Sequence, residues 1–376
     1  MKLEEYVFKG AKRLRCGYTT GSCATLAAKA AAHTLLFRRP CETVRILTPK
    51  GIELTVPVEK LTVGDDFVRC AVRKDSGDDP DVTDGILIFS EVRKVPGHGI
   101  AIEGGEGVGR VTKRGLEQPV GAAAINRVPR QMITEAVEEI CEQAGYDGAL
   151  LVTVSIPRGA ELAARTFNPR LGIKGGLSVL GTTGIVEPMS EQALVDSIEL
   201  EIKIRAQESR KLLILAPGSY GEDFIKATPA LQLAPVIKCS NYIGDAVEFS
   251  VRYGFENILL VGHIGKLVKL AAGVYNTHSR YADCRLEVLT AHAALAGCSR
   301  NIARQLMESA TTDEAVRILK EQEILQPVIR SVLQKIEDTL SRFAGESVRT
   351  GAVLYGAQGL LGMTGQAKEI LRRNMD

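Results

Sequence analysis

The sequence lacks an excess of charge of either sign, and it lacks any long apolar run. Its 376 residues carry a formal net charge of +2 at pH 7, so there is no basic field of the kind that nucleic-acid-binding proteins use. No apolar stretch reaches transmembrane length, and the amino-terminal segment lacks the apolar core of a signal peptide. We therefore expect a cytoplasmic protein that binds a small molecule and neither nucleic acid nor a membrane.

The sequence also lacks the motifs of the common metal sites. Its eight cysteines are scattered without a C-x-x-C pair, which argues against zinc-ribbon and thioredoxin-like motifs and favours reduced thiols. In the aspartate-rich segment at 74–85, Pro80 replaces the glycine of an EF-hand loop, and Ile86 replaces its final glutamate. We interpret this segment as a solvated turn between two strands, with a polar active-site loop as the alternative.

The glycine-rich segment at 104–115 does not have the pattern of a P-loop. Arg110 and Val111 stand where a P-loop has lysine followed by serine or threonine. The segment is either a turn whose backbone passes close to another group or a ligand loop. In the second case Arg110, Lys113 and Arg114 would suit an anionic ligand.

The chain does contain enough apolar residues, 45% of its length, for two ordinary domains. Residues 1–145 combine an alanine-rich helix, from about Ser22 to Phe37, with short β-branched segments and a helix that stops at Gly145. Residues 146–376 alternate apolar strands, beginning with ALLVTVSIP, with helical segments, and they include a helical carboxyl-terminal region. The predicted fold is an α+β domain followed by an α/β domain, Rossmann-like with a mostly parallel sheet.

Several predicted strands of the second domain end in polar loops that contain glycine. The loop after GLSVL contains Gly181, Thr182, Thr183 and Gly184, and the loop after APVIKCS contains Asn241 and Asp245. Ligands of open α/β sheets lie beyond the carboxyl ends of the strands, so we expect these loops to share one crevice. Two glycine-flanked threonines at such a place suit a ribose or a carboxylate.

The segment at 262–287, GHIGKLVKLAAGVYNTHSRYADCRLE, follows the predicted strand NILLV. Its pattern predicts His263 at a helix N-terminus, a short helix that stops at Gly273, and then a polar loop. That loop carries Asn276, Thr277, His278, Ser279, Arg280 and Asp283. The two histidines have no third ligand at a familiar spacing, so we predict a polar, cationic pocket wall and no metal.

Taken together, the motifs resemble those of the cobalt-precorrin-5B C1-methyltransferases of anaerobic cobalamin (vitamin B12) biosynthesis. The matching segments are CGYTTGSCATLAAKAA, DDPDVTDG, GGEGVGRVTKRGL, GIVEPMSEQA, SNYIGDAV and GHIGKLVKLAAGVYNTHSRYAD, in the order typical of that family. The resemblance covers nearly the whole chain up to about residue 300 and is loose beyond it.

The resemblance implies methyl transfer from S-adenosylmethionine to ring carbon C1 of a tetrapyrrole, with cobalt present only as part of that substrate. A sulfonium methyl is already activated, so the reaction needs alignment and exclusion of water more than acid-base residues. For the donor we predict contacts from Gly181, Thr182, Thr183, Gly184, Asn241 and Asp245. For the anionic substrate we predict contacts from Arg110, Lys113, Arg114, His263, Lys266, Asn276, Thr277, Ser279 and Arg280.

His278 and Asp283 are the candidates for proton handling. The alternative for His278 is a hydrogen bond to a substrate carboxylate or to the loop backbone. Two other classes of function stay open: a nucleotide- or phosphate-dependent enzyme, against which the missing P-loop lysine argues, and a non-catalytic tetrapyrrole carrier or scaffold. The sequence also leaves open a homo-oligomer and transient contacts with other enzymes of the pathway.

Overall fold

The computed structural model describes residues 3–375, and the chain divides into two compact units. Unit 1 is Met1–Glu191 and unit 2 is Gln192–Asp376. In the part of the chain that the structure describes, no helix is long and apolar enough to cross a membrane.

Unit 1 is a mixed α/β unit with thirteen short strands and three helices in its described part. The strands are β1 (Tyr6–Lys9), β2 (Lys12–Arg15), β3 (Gly17–Tyr18), β4 (Thr43–Leu47), β5 (Glu53–Pro57), β6 (Glu59–Val63), β7 (Phe67–Arg73), β8 (Leu87–Val95), β9 (Ile100–Gly104), β10 (Arg110–Val111), β11 (Ala149–Ser155), β12 (Ile173–Lys174) and β13 (Ile185–Val186). The helices are α1 (Thr20–Phe37), α2 (Arg127–Ala144) and α3 (Gly159–Ala163).

The core of unit 1 forms around α1, the helix predicted from the alanine-rich segment. This helix packs against β7 and β8 on one side and against α2 and β4 on others, so almost all its residues are buried. Alanine at six of its eighteen positions lets the neighbouring elements approach closely. Helix α2 ends where predicted, since Gly145 takes the left-handed conformation that stops a helix.

The main sheet of unit 1 has the order β6-β7-β8-β11-β9. Strands β6, β7 and β8 are antiparallel, as predicted for this part of the chain. Strand β11 also runs antiparallel to β8, and β9 runs parallel to β11. Strand β11 is the segment that we expected to open the second domain. The predicted boundary near residue 145 is therefore corrected to Glu191, because β11 takes its hydrogen bonds from both β8 and β9.

Unit 2 contains the remaining five strands and nine α-helices of the described chain. The strands are β14 (Leu213–Ala216), β15 (Val236–Lys238), β16 (Asn257–His263), β17 (Arg349–Gly356) and β18 (Gly359–Met363). The helices are α4 (Glu191–Glu208, beginning at the boundary), α5 (Ser219–Ala227), α6 (Ile243–Arg252), α7 (Ile264–Leu267), α8 (Arg285–Leu295), α9 (Arg300–Glu308), α10 (Thr312–Glu321), α11 (Leu325–Ala344) and α12 (Gly365–Met375). Short 3-10 helices at Pro229–Leu231 and Val268–Ala272 complete the unit.

The sheet of unit 2 has the order β15-β14-β16-β17-β18, and all its neighbours are parallel except β17 and β18. Helices cover both faces: α4, α6 and α11 pack on one face, and α5 and α12 pack on the other. The predicted parallel-rich sheet is therefore confirmed. Because the chain leaves β14 toward β15 and returns to β16 on the other side of β14, the strand order reverses between β14 and β16.

Candidate functional site

The loops that follow β14, β15 and β16 lie at one edge of the sheet of unit 2. Parallel strands bring their carboxyl ends to the same edge, and the reversal of strand order leaves a crevice outside the ends of β14 and β16. Gly218 follows β14 with a φ of 133°, and Ser240 follows β15 with a φ of 52°. The strand order at this edge is therefore the one at which ligands of open α/β sheets bind.

Lys266 lies at this crevice, in the first turn after β16. Its Nζ donates to the carbonyl oxygen of Ser240 at 3.3 Å. A Cβ atom at Gly218 would lie 3.7 Å from the same Nζ. The amine therefore lies close to both the loop after β14 and the loop after β15.

Lys266 is half-buried, and within residues 3–375 it forms no ion pair with a carboxylate. Burial is the largest cause that lowers the pKa of Lys266 below its usual value, and the charge of Lys269 lowers it further. A partly buried cation without an anionic partner is costly, so such a residue is a candidate binding group.

His263 is the N-cap of α7, as the sequence predicts. Its Nδ1 accepts a hydrogen bond from the amide of Gly265 at 3.1 Å, so a neutral ring carries its proton on Nε2. The Nε2 atom lies 3.3 Å from Oδ1 of Asp313, which also accepts from the amide of Ala357. Both ring nitrogens of His263 thus hold the turn after β16 in place.

The polar loop at 276–283 is bound by Lys269, a residue that no motif in the sequence indicated. Its Nζ donates to the carbonyl oxygens of Thr277 at 3.1 Å and Ala282 at 2.7 Å, and it lies 3.9 Å from Oδ1 of Asp283. The side chain is only 3% exposed. The one available signal was a lysine among apolar residues of a helical segment, a pattern that ordinarily indicates a solvated position.

The same loop is attached to the loop after β15. The amide of Thr277 donates to the carbonyl oxygen of Asn241 at 2.9 Å, and the Thr277 hydroxyl lies 3.3 Å from Oδ1 of Asn241. Asn276 forms an isolated antiparallel bridge with Tyr242. The structure therefore brings together Asn241, predicted for the donor, and Thr277 and Asn276, predicted for the substrate.

His278, Ser279 and Arg280 are exposed at the outer part of this loop. Nδ1 of His278 accepts from the amide of Arg280 at 3.0 Å, so a neutral His278 ring presents an Nε2–H donor. The guanidinium of Arg280 contacts the hydroxyl of Tyr281.

Asp283 accepts hydrogen bonds from Nε and Nη2 of Arg285, at 2.6 and 2.7 Å. These hydrogen bonds, with the charges of Arg285 and Lys269, lower the pKa of Asp283 below its usual value. A carboxylate held in this way is a weak proton acceptor. Asp245, in the first turn of α6, is half-buried.

The loop Gly181 to Gly184 lies in unit 1, which corrects the expectation that it follows a strand of the second domain's sheet. Residues 176–181 form only isolated bridges there, and the loop closes against the start of α1. The Gly184 carbonyl accepts from the amide of Thr19 at 3.1 Å and from the hydroxyl of Ser22 at 2.7 Å. The Thr183 hydroxyl donates to the carbonyl of Ile185, two residues on.

Thr182 instead borders an open groove in unit 1 with a volume of about 560 Å³. We call this the α1–α2 groove, because those two helices and the end of β4 form its walls. Its lining residues are Thr25, Lys29, Ile46, Leu47, Thr48, Pro49, Arg127, Val128, Gln131, Met132, Glu135, Ala136, Glu139 and Thr182. Nothing in the sequence indicated that these segments meet.

The three basic residues of the glycine-rich segment also lie in unit 1. Arg110 donates to Oε1 of Glu103 at 2.8 Å and to the carbonyl of Gly104 at 2.9 Å. Lys113 is half-buried and covers Gly172, whereas Arg114 is exposed. The glycines of this segment serve close backbone packing: the Gly107 carbonyl accepts from the amide of Leu177 at 2.9 Å and adjoins Gly159 and Gly176.

The aspartate-rich segment is more ordered than a solvated turn. Asp75 binds the Arg15 guanidinium through two bonds of 2.7 Å, and Asp78 accepts from the Arg15 amide. Asp81 lies 2.7 Å from Nζ of Lys74, whose side chain is 2% exposed. Within residues 3–375, no group of three or more histidine, cysteine, aspartate or glutamate side chains is arranged to hold a metal ion.

The Asp81–Lys74 pair gives a pH-dependent stability. Burial by itself would raise the pKa of Asp81, but the charge and hydrogen bond of Lys74, with bonds from Thr83, lower it below its usual value of about 4. The stabilisation is therefore complete above pH ~4 and is lost as the pH falls through the lowered pKa. We expect the unfolding free energy of wild type, measured by urea denaturation, to exceed that of Asp81→Asn at pH 7. The difference between the two unfolding free energies should become smaller below pH 4, and a difference that does not change with pH would contradict this.

The fold defines the class of protein: an α/β protein whose second unit has an open, parallel-rich sheet with polar loops at the carboxyl ends of its strands. Two family models match the chain, CbiD over residues 7–188 and the CbiD C-terminal domain over residues 276–365. The chain belongs to the CbiD family, which confirms the resemblance noted in the sequence.

Several relatives are similar over nearly their whole length. A protein of Ruminiclostridium cellulolyticum, named cobalt-precorrin-5B C(1)-methyltransferase, is 48% identical over 94% of this chain and 92% of its own. A protein of Alkaliphilus metalliredigens with the same name is 43% identical over 98% of this chain and 97% of its own. A crystal structure of a cobalamin biosynthesis protein (cbiD) from Archaeoglobus fulgidus is 31% identical, with a TM-score of 0.41, over 73% of this chain and 86% of that one.

Proposed function

We propose that this chain methylates ring carbon C1 of cobalt-precorrin-5B to give cobalt-precorrin-6A, with S-adenosylmethionine as the methyl donor. The observation that carries the proposal is the extent of the similarity: relatives named for this reaction match 94% and 98% of the chain. The similarity to these relatives therefore extends over both units of the chain.

In the proposed reaction, C1 of the macrocycle forms a bond to the methyl carbon as the bond between that carbon and sulfur breaks. The electron pair of the broken bond stays on sulfur, and S-adenosylhomocysteine leaves. The protein's task is to align the two reactants and exclude water, because the sulfonium needs no further activation. A site without an obvious nucleophile or metal cluster is compatible with this chemistry.

We propose that the macrocycle binds at the polar carboxyl edge of unit 2, as ligands bind in Rossmann-like, doubly wound domains. The support is the set of polar groups at that edge: Lys266, Asn241 in contact with Thr277, and the loop at 276–283 bound by Lys269. A tetrapyrrole that carries acetate and propionate groups needs cations and hydrogen-bond donors around its rim. Lys266 and Arg280 would supply the cations there.

Lys266 is the residue for which the structure gives the strongest argument, because its charge has no carboxylate partner in the described chain. A bound carboxylate would offset the cost of burying the amine and would return its pKa toward the usual value. Lys238, at the end of β15, is a matched comparison, because it already pairs with Glu222 at 2.9 Å.

We expect Lys266→Met to raise KM for cobalt-precorrin-5B about tenfold, the usual loss for one charge-assisted hydrogen bond, with kcat changed less. Lys238→Met should leave KM within about twofold of wild type. Initial rates at varied tetrapyrrole concentration measure both constants. Equal KM values for the two variants would argue against Lys266 as a carboxylate contact.

For His278 we propose hydrogen bonding to a substrate carboxylate rather than proton removal. Its Nδ1 is already occupied by the Arg280 amide, which leaves an Nε2–H that donates. Asp283, held by Arg285, would keep the loop and its charge in place. Turnover in His278→Ala that stays within a few fold of wild type would agree with this role, and complete loss would contradict it.

The reaction itself is tested with the purified chain, cobalt-precorrin-5B and S-adenosylmethionine labelled in its methyl group. We expect label in the tetrapyrrole and an equal amount of S-adenosylhomocysteine. A non-catalytic carrier would bind the tetrapyrrole but transfer no label and bind no S-adenosylhomocysteine. That outcome would replace the proposed function with the carrier hypothesis.

A further inference from the structure

The α1–α2 groove of unit 1 has the size of a small-ligand site. Its volume of about 560 Å³ falls within the range of about 300 to 1,000 Å³ that such pockets occupy. A nucleoside with an amino-acid tail would fit this volume. A tetrapyrrole fringed with acetate and propionate groups is too large for it, so the groove suits the smaller reactant of the proposed reaction.

The charges in the groove are mixed. Glu135 and Glu139 line it beside Lys29 and Arg127, and Nζ of Lys29 lies 2.6 Å from Oε2 of Glu139. Such a lining suits a ligand that carries both signs of charge, such as a sulfonium and an ammonium together with a carboxylate. It does not suit a nucleoside polyphosphate, because two carboxylates would repel the phosphates.

The walls of the groove offer apolar and hydroxyl groups as well. Ile46 and Met132 are almost fully buried residues that border it, and they provide an apolar surface of the kind an adenine ring contacts. Thr182, from the loop predicted to contact the donor, lies on the same lining. The hydroxyl of the neighbouring Thr183 donates to the carbonyl oxygen of Ile185, and Thr183 is not part of the lining.

We propose that the α1–α2 groove binds the methyl donor, an adenosine nucleoside with a zwitterionic amino-acid tail. The inference rests on the proposed function and deepens it by assigning the donor to residues of unit 1. In this assignment Glu135 and Glu139 face the cationic groups of the ligand, and Arg127 faces its carboxylate.

A blocking substitution tests the site with little risk to the fold. Gln131 is exposed on α2 and lines the groove, whereas Glu138 is exposed on the same helix and is not part of the lining. With S-adenosylhomocysteine as the probe in calorimetric titrations, we expect Gln131→Trp to raise Kd about tenfold or more. Glu138→Trp should leave Kd within about twofold of wild type. Unchanged affinity in Gln131→Trp would overturn the assignment.

A second comparison separates the parts of the ligand. Arg127→Gln should raise the Kd for S-adenosylhomocysteine about tenfold, because an ionic hydrogen bond to the carboxylate of the ligand is lost. It should leave unchanged the affinity for 5′-methylthioadenosine, which lacks the amino-acid tail. Equal weakening of both probes would contradict the placement of the tail.

Failure of this inference is distinguishable from failure of the proposed function. If wild type transfers the methyl group and Gln131→Trp binds and transfers equally well, only the groove assignment is overturned. If wild type neither binds S-adenosylhomocysteine nor transfers a methyl group, the proposed function and the groove assignment both fail.

Discussion

Replacing Gly107 by alanine is expected to lower the unfolding free energy of the chain by about 4 kcal/mol or more. Gly107 has a φ of 71°, and a Cβ atom there would overlap the carbonyl oxygen of Ile156. The obstacle is backbone, which cannot rotate away as a side chain would. The Gly107 carbonyl also packs against Gly159 and Gly176. A displacement of the backbone at Gly107 would therefore disturb two further close contacts between backbone segments.

Gly121→Ala is the matched control, because Gly121 also has a positive φ, 92°, but no atom within 4 Å of the added Cβ. It should cost only the conformational strain of about 1 to 2 kcal/mol. Urea denaturation followed by far-ultraviolet circular dichroism compares the two variants. If both lose the same stability, close backbone packing is not the reason for the glycine at 107, and the ligand-loop alternative for this segment gains support.

Replacing Lys269 by methionine is expected to reduce kcat/KM for the tetrapyrrole by about a hundredfold. A displacement of binding groups by about 1 Å can lower the rate of a reaction by that factor. The substitution removes the only two hydrogen bonds in the described chain that join Nζ of Lys269 to the loop at 276–283. The carbonyl oxygens of Thr277 and Ala282 would lose their buried donor. His278 and Arg280 would then no longer be held at fixed positions.

A readout besides activity separates loop positioning from a general loss of stability. Amide hydrogen exchange at 276–283 should become faster in Lys269→Met, while the strands of unit 2 keep their protection. Lys226→Met, at an exposed lysine of α5, serves as the control and should leave rate and exchange unchanged. Unaltered exchange in the loop of Lys269→Met would contradict the anchoring role.

Local patterns in the sequence predicted the secondary structure of most of the chain. The period of apolar residues gave α1 and α2, and Gly145 and Gly273 end their helices in the left-handed conformation. The apolar runs of β14, β15, β16 and β17 were found because strands buried on both faces are almost continuously apolar. His263 was correctly placed at a helix N-terminus.

Most errors concern the partners of a segment, although GLSVL, predicted as a strand, forms only isolated bridges. ALLVTVSIP is a strand, as predicted, but the same apolar pattern suits a strand of either unit, and pairing with β8 and β9 places it in unit 1. The loop Gly181 to Gly184 has residues typical of a strand-to-helix turn. Its position is fixed by Thr19 and Ser22, about 160 residues earlier in the sequence.

The sequence by itself determined most of the helices and strands and the family, because these depend on short-range periodicity and on motifs that remain in order along the chain. The tertiary structure alone decided which polar groups meet. Lys269 is buried and binds the loop at 276–283, whereas Lys266 reaches the loop after β15 and has no carboxylate partner in the described chain, although both lysines lie on the same short helical segment. The difference arises because hydrogen-bond partners and desolvation are set by distant segments, and only the folded chain brings those segments together.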